Sequence, residues 1–370
     1  MRLPALTALI ALALAVLPAT AAAERSVPRG WLGVIADGPL TSGGTMDGEW
    51  DLMAGSGAEG VRTAFYWPSA QRDGAAPPDL AHLDDVVLQA ARRGLPVLPI
   101  VTGTPGWAAS RAHDETSPPR STRLYADFLR TLVARYGPRG SLWAEHPDVA
   151  ARPIRAWQIW NEPNLTRYWT PPRGQGFARG YVKLLEAADR ALKGADPGSR
   201  TILAGLPNES WKALRRVYAA GGRRSFDAVA LHPYTGKPRN VVRLAELARR
   251  VMRRNEDGRK PIWITELSWP AAKGKTRNTT GFETTDRGQA QRLTEGVKLL
   301  ARARKRLRIQ RVFWYTWLSS ERGPSEFDWA GLRRVRGGRI VAAPALRKFR
   351  RVARKLEGCR KAPRNAARCA

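Results

Sequence analysis

The chain has 370 residues, 63 of them lysine or arginine against 32 aspartate or glutamate, for a formal net charge of +31 and a pI near 11.3. Its two cysteines, Cys359 and Cys369, and four histidines, His82, His113, His146 and His232, exclude a disulfide-dense scaffold and supply no zinc-ligand spacing, so no metal is expected. Nucleic acid is set aside as a partner: the basic residues crowd onto 302–311, 333–339 and 347–361 without interleaved aromatic stacking groups, which reads as a solvated basic face. Electrostatic association with anionic envelope polymers stays open, because net charge speaks to non-specific partners and not to fold.

Met1 and Arg2 precede an apolar run over 3–17, then Pro18 and a small-residue stretch to Ala23. This is the layout of a secretory signal peptide, 1–23, cleaved after Ala23. The run is short for a spanning helix. Residues 24–358 are expected to form one domain and 359–370 a basic tail, in which Cys359 and Cys369 can pair in an oxidising compartment.

From there short β-rich runs alternate with longer helical patterns. Strands are expected at 31–37, 60–67, 96–102, 155–161, 201–206, 226–232, 261–266 and 310–317. Most are continuously apolar, as parallel strands covered on both faces should be. Helical spacing marks 79–93, where Leu80, Leu83, Val86, Val87 and Ala90 share a face, and then 122–136, 177–192, 210–220, 241–255 and 287–306. Eight such units in one chain point to an α/β fold, a (β/α)8 TIM barrel, in preference to an open doubly wound sheet. A last helix, 344–356, carries Leu346, Phe349, Ala353 and Leu356 on one face and should pack on the barrel exterior. Gly55, Gly57 and Gly60 satisfy a dinucleotide-binding spacing but run from a helix into a strand, the reverse of what a phosphate site needs.

In such a barrel, chemistry belongs to the C-terminal ends of the strands and the loops after them. The fourth strand delivers Asn161 and Glu162 to its rim in the run Trp160-Asn-Glu-Pro-Asn-Leu165, and the seventh ends on Glu266 in Thr265-Glu-Leu267. These motifs, with Tyr168 and Trp169, resemble glycoside hydrolase clan A, the retaining barrel glycosidases, and most closely family 39 and its relatives. The resemblance runs from the first strand to Gly331 and Leu332. It implies a carbohydrate substrate, no cofactor, Glu162 as acid/base and Glu266 as nucleophile.

Glycoside cleavage of this kind needs one carboxyl that holds a proton and one that is ionised, about 5 to 5.5 Å apart. Arg62, near the end of strand two, is placed to keep Glu266 anionic, and the charge on Glu266 would leave the proton on Glu162. Asn161, by the resemblance, should bond the sugar hydroxyl beside the anomeric carbon. His232 and Tyr234, which end strand six, are expected to orient the nucleophile or touch substrate. Among the strand-end tryptophans, Trp317 and then Trp169 are the expected stacking platforms for a sugar ring. Asp37 and Glu209 also sit near the rim, without an expected catalytic role. Two other readings of the same residues are transglycosylation and a non-catalytic carbohydrate-binding barrel held to the envelope by its basic surface.

Overall fold

The computed structural model describes residues 25–42, 46–277 and 279–358. The expected signal sequence, the 359–370 tail and any Cys359–Cys369 pairing lie outside the described residues. Among the described residues no helix is long and apolar enough to cross a membrane.

Eight barrel strands form where the apolar runs predict them. They are Leu32–Ile35, Val61–Tyr66, Val97–Thr102, Ala156–Ile159, a fifth in two pieces, Arg200–Ile202 and Leu206–Pro207, then Val229–His232, Ile262–Leu267 and Ile309–Trp314. All neighbours pair in parallel. Strand one lies between strands two and eight, with Val34 opposite Val61 on one side and Gly33 opposite Phe313 on the other. The two pieces of strand five complete the circuit: Arg200 pairs with Ala156 of strand four, while Leu206 pairs with Leu231 of strand six. Single bridges Ile202–Ala228 and Asn161–Gly205 link the two halves.

The interruption has a local cause. A Cβ placed on Gly205 would stand 1.9 Å from the His232 Nε2 atom, so only glycine lets the His232 ring enter the barrel beneath strand five.

Alternation along the strands divides the apolar residues into two cores. Ile35, Leu98, Ile202, Ala228, Ala230, Trp263 and Phe313 fill the barrel itself. The larger core lies between sheet and helices. The helices Ala81–Arg92, Thr122–Tyr136, Phe177–Ala195, Ser210–Ala219, Arg239–Arg254 and Asp286–Leu307 cover the outside. Two of them start on side-chain caps: the Arg123 amide donates to Ser121 Oγ and the Gly288 amide to Thr285 Oγ1, satisfying donors that a first helical turn leaves unpaired.

The last helix, Pro344–Glu357, opens on proline at its first position and stops at Gly358 in the left-handed conformation, φ 74°. Its expected apolar face, Leu346, Phe349, Ala353 and Leu356, is buried and lies on the Asp286–Leu307 helix. At about 1.5–3 kcal/mol for each large apolar side chain removed from water, this face secures the helix to the barrel. Gly57, φ +88°, faces Ala353 and forms part of the connection into strand two, as its sequence context requires.

The reading of 333–339 as solvated basic chain needs correction. Arg333–Arg336 and Arg339–Ala342 form an antiparallel pair that joins Leu318–Ser319 in a small second sheet. Three of its four arginines are partnered: Arg333 with Glu49 at 2.7 Å, the buried Arg334 with Asp286 and with Glu321 at 3.1 Å, Arg336 with Glu321 at 2.9 Å. Carboxylates distant in sequence neutralise the run, which is why composition alone left it as a free charge.

Candidate active site

Strand ends bring six of the eight residues selected from sequence into one connected cluster. Arg62, in strand two and fully buried, donates from Nε to Gln158 Oε1 at 2.7 Å, from Nη1 to Glu266 Oε1 at 2.8 Å and from Nη2 to Asn161 Oδ1 at 3.1 Å. Glu266 receives a second donor on its other oxygen, the Tyr234 hydroxyl at 2.5 Å. His232, also fully buried, sits with Nδ1 2.7 Å from Glu162 Oε1, and its Nε2 is 3.0 Å from Thr265 Oγ1 and 3.5 Å from Glu266 Oε1. Glu162 Oε2 is 3.4 Å from the Arg167 guanidinium.

The backbone that presents Glu162 is unusual. Trp160 and Glu162 both lie in the left-handed region, φ 68° and 44°, which costs an L-residue roughly 1–2 kcal/mol and is held by its surroundings. Three bonds do so here. The Glu162 amide donates to Gly205 O at 3.2 Å, the Trp160 amide to Val101 O at 2.9 Å and the Trp160 indole to Tyr168 O at 2.7 Å.

One carboxylate oxygen of Glu162, one of Glu266 and a ring nitrogen of His232 all lie within 4.8 Å of one another. Groups so spaced can converge on a cation, but here the donors are committed otherwise. Both Glu266 oxygens accept hydrogen bonds, and the Arg62 charge occupies the place beside Oε1 that a cation would take. The set is built to hold a carboxylate anion against a positive charge.

Burial alone would push the Glu266 carboxyl up. Attraction to His232 and Arg62, with the bonds from Tyr234 and Arg62, outweighs it and holds the group below the ordinary carboxylate range. Burial next to Glu266 and Glu162 drives the Tyr234 hydroxyl well above its usual value, so it remains a neutral donor. Asp37 goes the other way: burial, only partly offset by Arg62 and the Ala64 amide, raises it to about 6.

The cluster opens into a cleft of about 490 Å³ at the C-terminal ends of the strands. Asn161, Glu162, Tyr234 and Glu266 reach its wall, with Asp37, Tyr66, Tyr168, Arg167, Tyr315 and Phe327 around them. Arg62 and His232 do not reach it. They lie beneath the glutamates and touch no substrate space: Arg62 pairs with Glu266 as expected, and His232 is bonded to Glu162, because both side chains are enclosed within the barrel mouth.

The tryptophan platforms are the clear departure. Trp317 is fully buried, its indole donating to Glu49 Oε2 at 3.1 Å. Strand eight ends at Trp314, so the strand alternation that would aim residue 317 at the cleft has already stopped. The aromatic ring that strand eight's end gives to the cleft is Tyr315, whose peptide bond to Thr316 is cis. Trp169 is 1% exposed, packed edge-on against Trp160 and Tyr181. It supports the loop that carries Tyr168.

Sequence reasoning passed over Gln158 and Thr265, which tie Arg62 and His232 into the network. A glutamine inside the apolar strand Ala156–Ile159 was the available signal, since a polar side chain there needs a buried partner. Tyr315 and Phe327 had no such signal: Tyr315 follows directly on strand eight and Phe327 is in the short 3-10 helix Glu326–Trp329, where an aromatic residue is ordinary.

No family model matches the chain. In sequence it is 28% identical over 127 residues to a beta-xylosidase of Geobacillus stearothermophilus, a match covering 33% of this chain and 22% of that protein. Among solved structures it is similar to a family 39 glycoside hydrolase from Bacteroides cellulosilyticus, at 18% identity and a TM-score of 0.66 over 89% of this chain and 64% of that one. A monomeric beta-xylosidase from Caulobacter crescentus gives 18% and 0.66 over 89% and 69%. A family 5 glycoside hydrolase from Streptomyces cattleya gives 17% and 0.66 over 90% and 82%. The chain spans about a fifth of the first relative in sequence and under two thirds of the first in structure. Its barrel is the one found in clan A glycoside hydrolases of families 39 and 5, as the strand-end motifs led us to expect.

Proposed function

We propose that the chain is a retaining glycoside hydrolase that cleaves O-glycosidic bonds of a carbohydrate by double displacement, with 24–358 as the catalytic domain, exported by the 1–23 leader. The observation that carries this reading is the pair of glutamates on strands four and seven, with oxygens within 4.8 Å, one held as an anion and both opening on one cleft. Inverting enzymes separate their carboxyls by about 6.5–9.5 Å to admit a water between them, whereas this spacing suits direct attack.

In the first step the Glu162 carboxyl gives its proton to the glycosidic oxygen as the Glu266 carboxylate attacks the anomeric carbon. The C–O bond to the leaving group breaks and a glycosyl ester of Glu266 forms. The negative charge on Glu266 is then gone, which favours an ionised Glu162. Glu162 takes a proton from water, the water oxygen attacks the anomeric carbon and the ester bond breaks. Arg62 and Tyr234 hold Glu266 ionised and aligned, while His232 fixes Glu162 through the 2.7 Å contact. Asn161 is at hand for the hydroxyl next to the anomeric carbon.

The named relatives make aryl β-xylosides the first substrates to try, followed by other aryl glycosides. NMR of the first-formed sugar should show retained configuration. Glu266→Gln should abolish turnover in a folded protein. Glu162→Gln should lose about 10²–10⁴-fold on poor leaving groups and much less on activated ones. Inverted product, or full activity in Glu266→Gln, overturns the reading.

A further inference from the structure

At the opposite end of the barrel from the cleft, two helices enclose a groove of about 460 Å³. Its place follows from the chain: residues 298–305 belong to the end of the Asp286–Leu307 helix that leads into the start of strand eight, and Ser26 lies just before strand one. Lys298, Arg302 and Lys305 stand along one wall at intervals of four and three residues, one helical face, spanning about 10 Å. Lys355 closes the other wall from the C-terminal helix. All four are exposed.

No carboxylate lines the groove, and none of the four cations has an ion-pair partner among the described residues. In the small second sheet, by contrast, Arg333, Arg334 and Arg336 are each paired with a carboxylate. The floor is apolar, formed by Ala301, Val352 and Leu356. The fifth cation, Arg304, is committed to the chain itself and donates to Ser26 O at 2.7 Å. Of the nearby carboxylates, Glu59 pairs with Arg25 at 2.7 Å and Glu357 is buried, while the exposed Glu295, three residues before Lys298 on the same helix, is outside the groove lining.

We infer that this groove is a binding site for a linear polyanionic polysaccharide, whose carboxylates or sulfates meet the cationic walls while ring C–H faces lie on the apolar floor. The alternatives fit less well. No aromatic side chain lines it for base stacking, which single-stranded nucleic acid would use. Among the described residues the exposed large hydrophobics, Leu52 and Tyr66, are elsewhere, so the groove presents no exposed large apolar side chain of the kind a bilayer surface would take. A polymer held at this end leaves the cleft facing away from it.

The test uses the full chain without its leader and polygalacturonate as the probe. Wild type should bind with an affinity that falls steeply between low and physiological salt. Replacing Lys298, Arg302, Lys305 and Lys355 together by glutamate should weaken binding by about tenfold or more, four exposed ion pairs each contributing modestly. Exchanging lysine and arginine at these positions should preserve it. The control reverses Arg215, Arg216, Arg250 and Arg254, four exposed cations on another face, with the same change in formal charge, and should keep most of the binding. Equal losses in both variants would mean bulk charge and no site. Groove-dependent binding of double-stranded DNA or phosphatidylglycerol vesicles, without binding of polygalacturonate, would also refute the assignment. Thermal unfolding of each variant separates loss of binding from loss of fold.

Discussion

Replacing Arg62 by methionine removes the cation on which three strands converge while keeping most of the side chain's volume. The guanidinium is fully buried and bonds Glu266, Gln158 and Asn161 at 2.8, 2.7 and 3.1 Å. Removing one partner of a buried pair leaves the other charge uncompensated, and costs about 3–5 kcal/mol. Tyr234 and His232 still face Glu266, so the lower end applies at neutral pH. The pH dependence gives the diagnosis. A carboxylate held below its ordinary range contributes stability above its unfolded value, 4.5, and loses it as pH falls through the folded value. The gap between wild type and Arg62→Met should therefore be widest near pH 7 and narrow below pH 4.5. Urea unfolding at several pH values measures this. In parallel, the acid limb of kcat/KM on an aryl glycoside should move to higher pH, because Glu266 without Arg62 protonates more readily. A variant as stable as wild type at pH 7, or one whose acid limb stays in place, refutes the view that Arg62 holds Glu266 ionised.

Tyr234→Phe removes one charge-assisted bond to Glu266, worth about 1.5–3 kcal/mol. It should lower kcat/KM by about 10- to 100-fold and move the acid limb upward as well, read from the same pH profile. Asp37, raised to about 6 from 3.8, binds more protons folded than unfolded between these values, so its contribution to stability falls as pH rises through that window. Asp37→Asn, which can still accept from the Ala64 amide, should be more stable than wild type above pH 6, by about 3 kcal/mol. Below pH 4 the two should unfold together. Trp317→Ala should destabilise by about 3–5 kcal/mol through cavity formation yet leave KM for an aryl glycoside within about twofold, whereas a sugar platform at this position would raise KM sharply.

The barrel was legible because its signals are local. Each apolar strand and each helical stripe is written in contiguous residues, and the buried helix face at Leu346, Phe349, Ala353 and Leu356 follows from spacing alone. The glutamates were legible for the same reason, since a strand end is a position in sequence. The division of strand five was not. It depends on His232 meeting Gly205, two residues on neighbouring strands whose contact exists only once the sheet has closed. Whether Arg62 and His232 reach substrate was illegible for a related reason: sequence places a residue at a rim but does not say whether its side chain points up into the cleft or down into the barrel. Tryptophan compounds the difficulty. Trp169 and Trp317 sit in irregular chain, where no periodicity fixes a direction, and a large apolar ring finds more contact in the core than at the cleft.

The left-handed backbone at Trp160 and Glu162 bears on how this protein could change under selection. Glycine at residue 162 would relieve the conformation but would leave the buried His232 Nδ1 without its 2.7 Å partner, so the strain is offset by the contact that the carboxyl makes. The residue placed at the centre of the proposed chemistry is therefore held in a costly backbone by its partners, and any thermostabilisation of this barrel should hold 160–162 fixed.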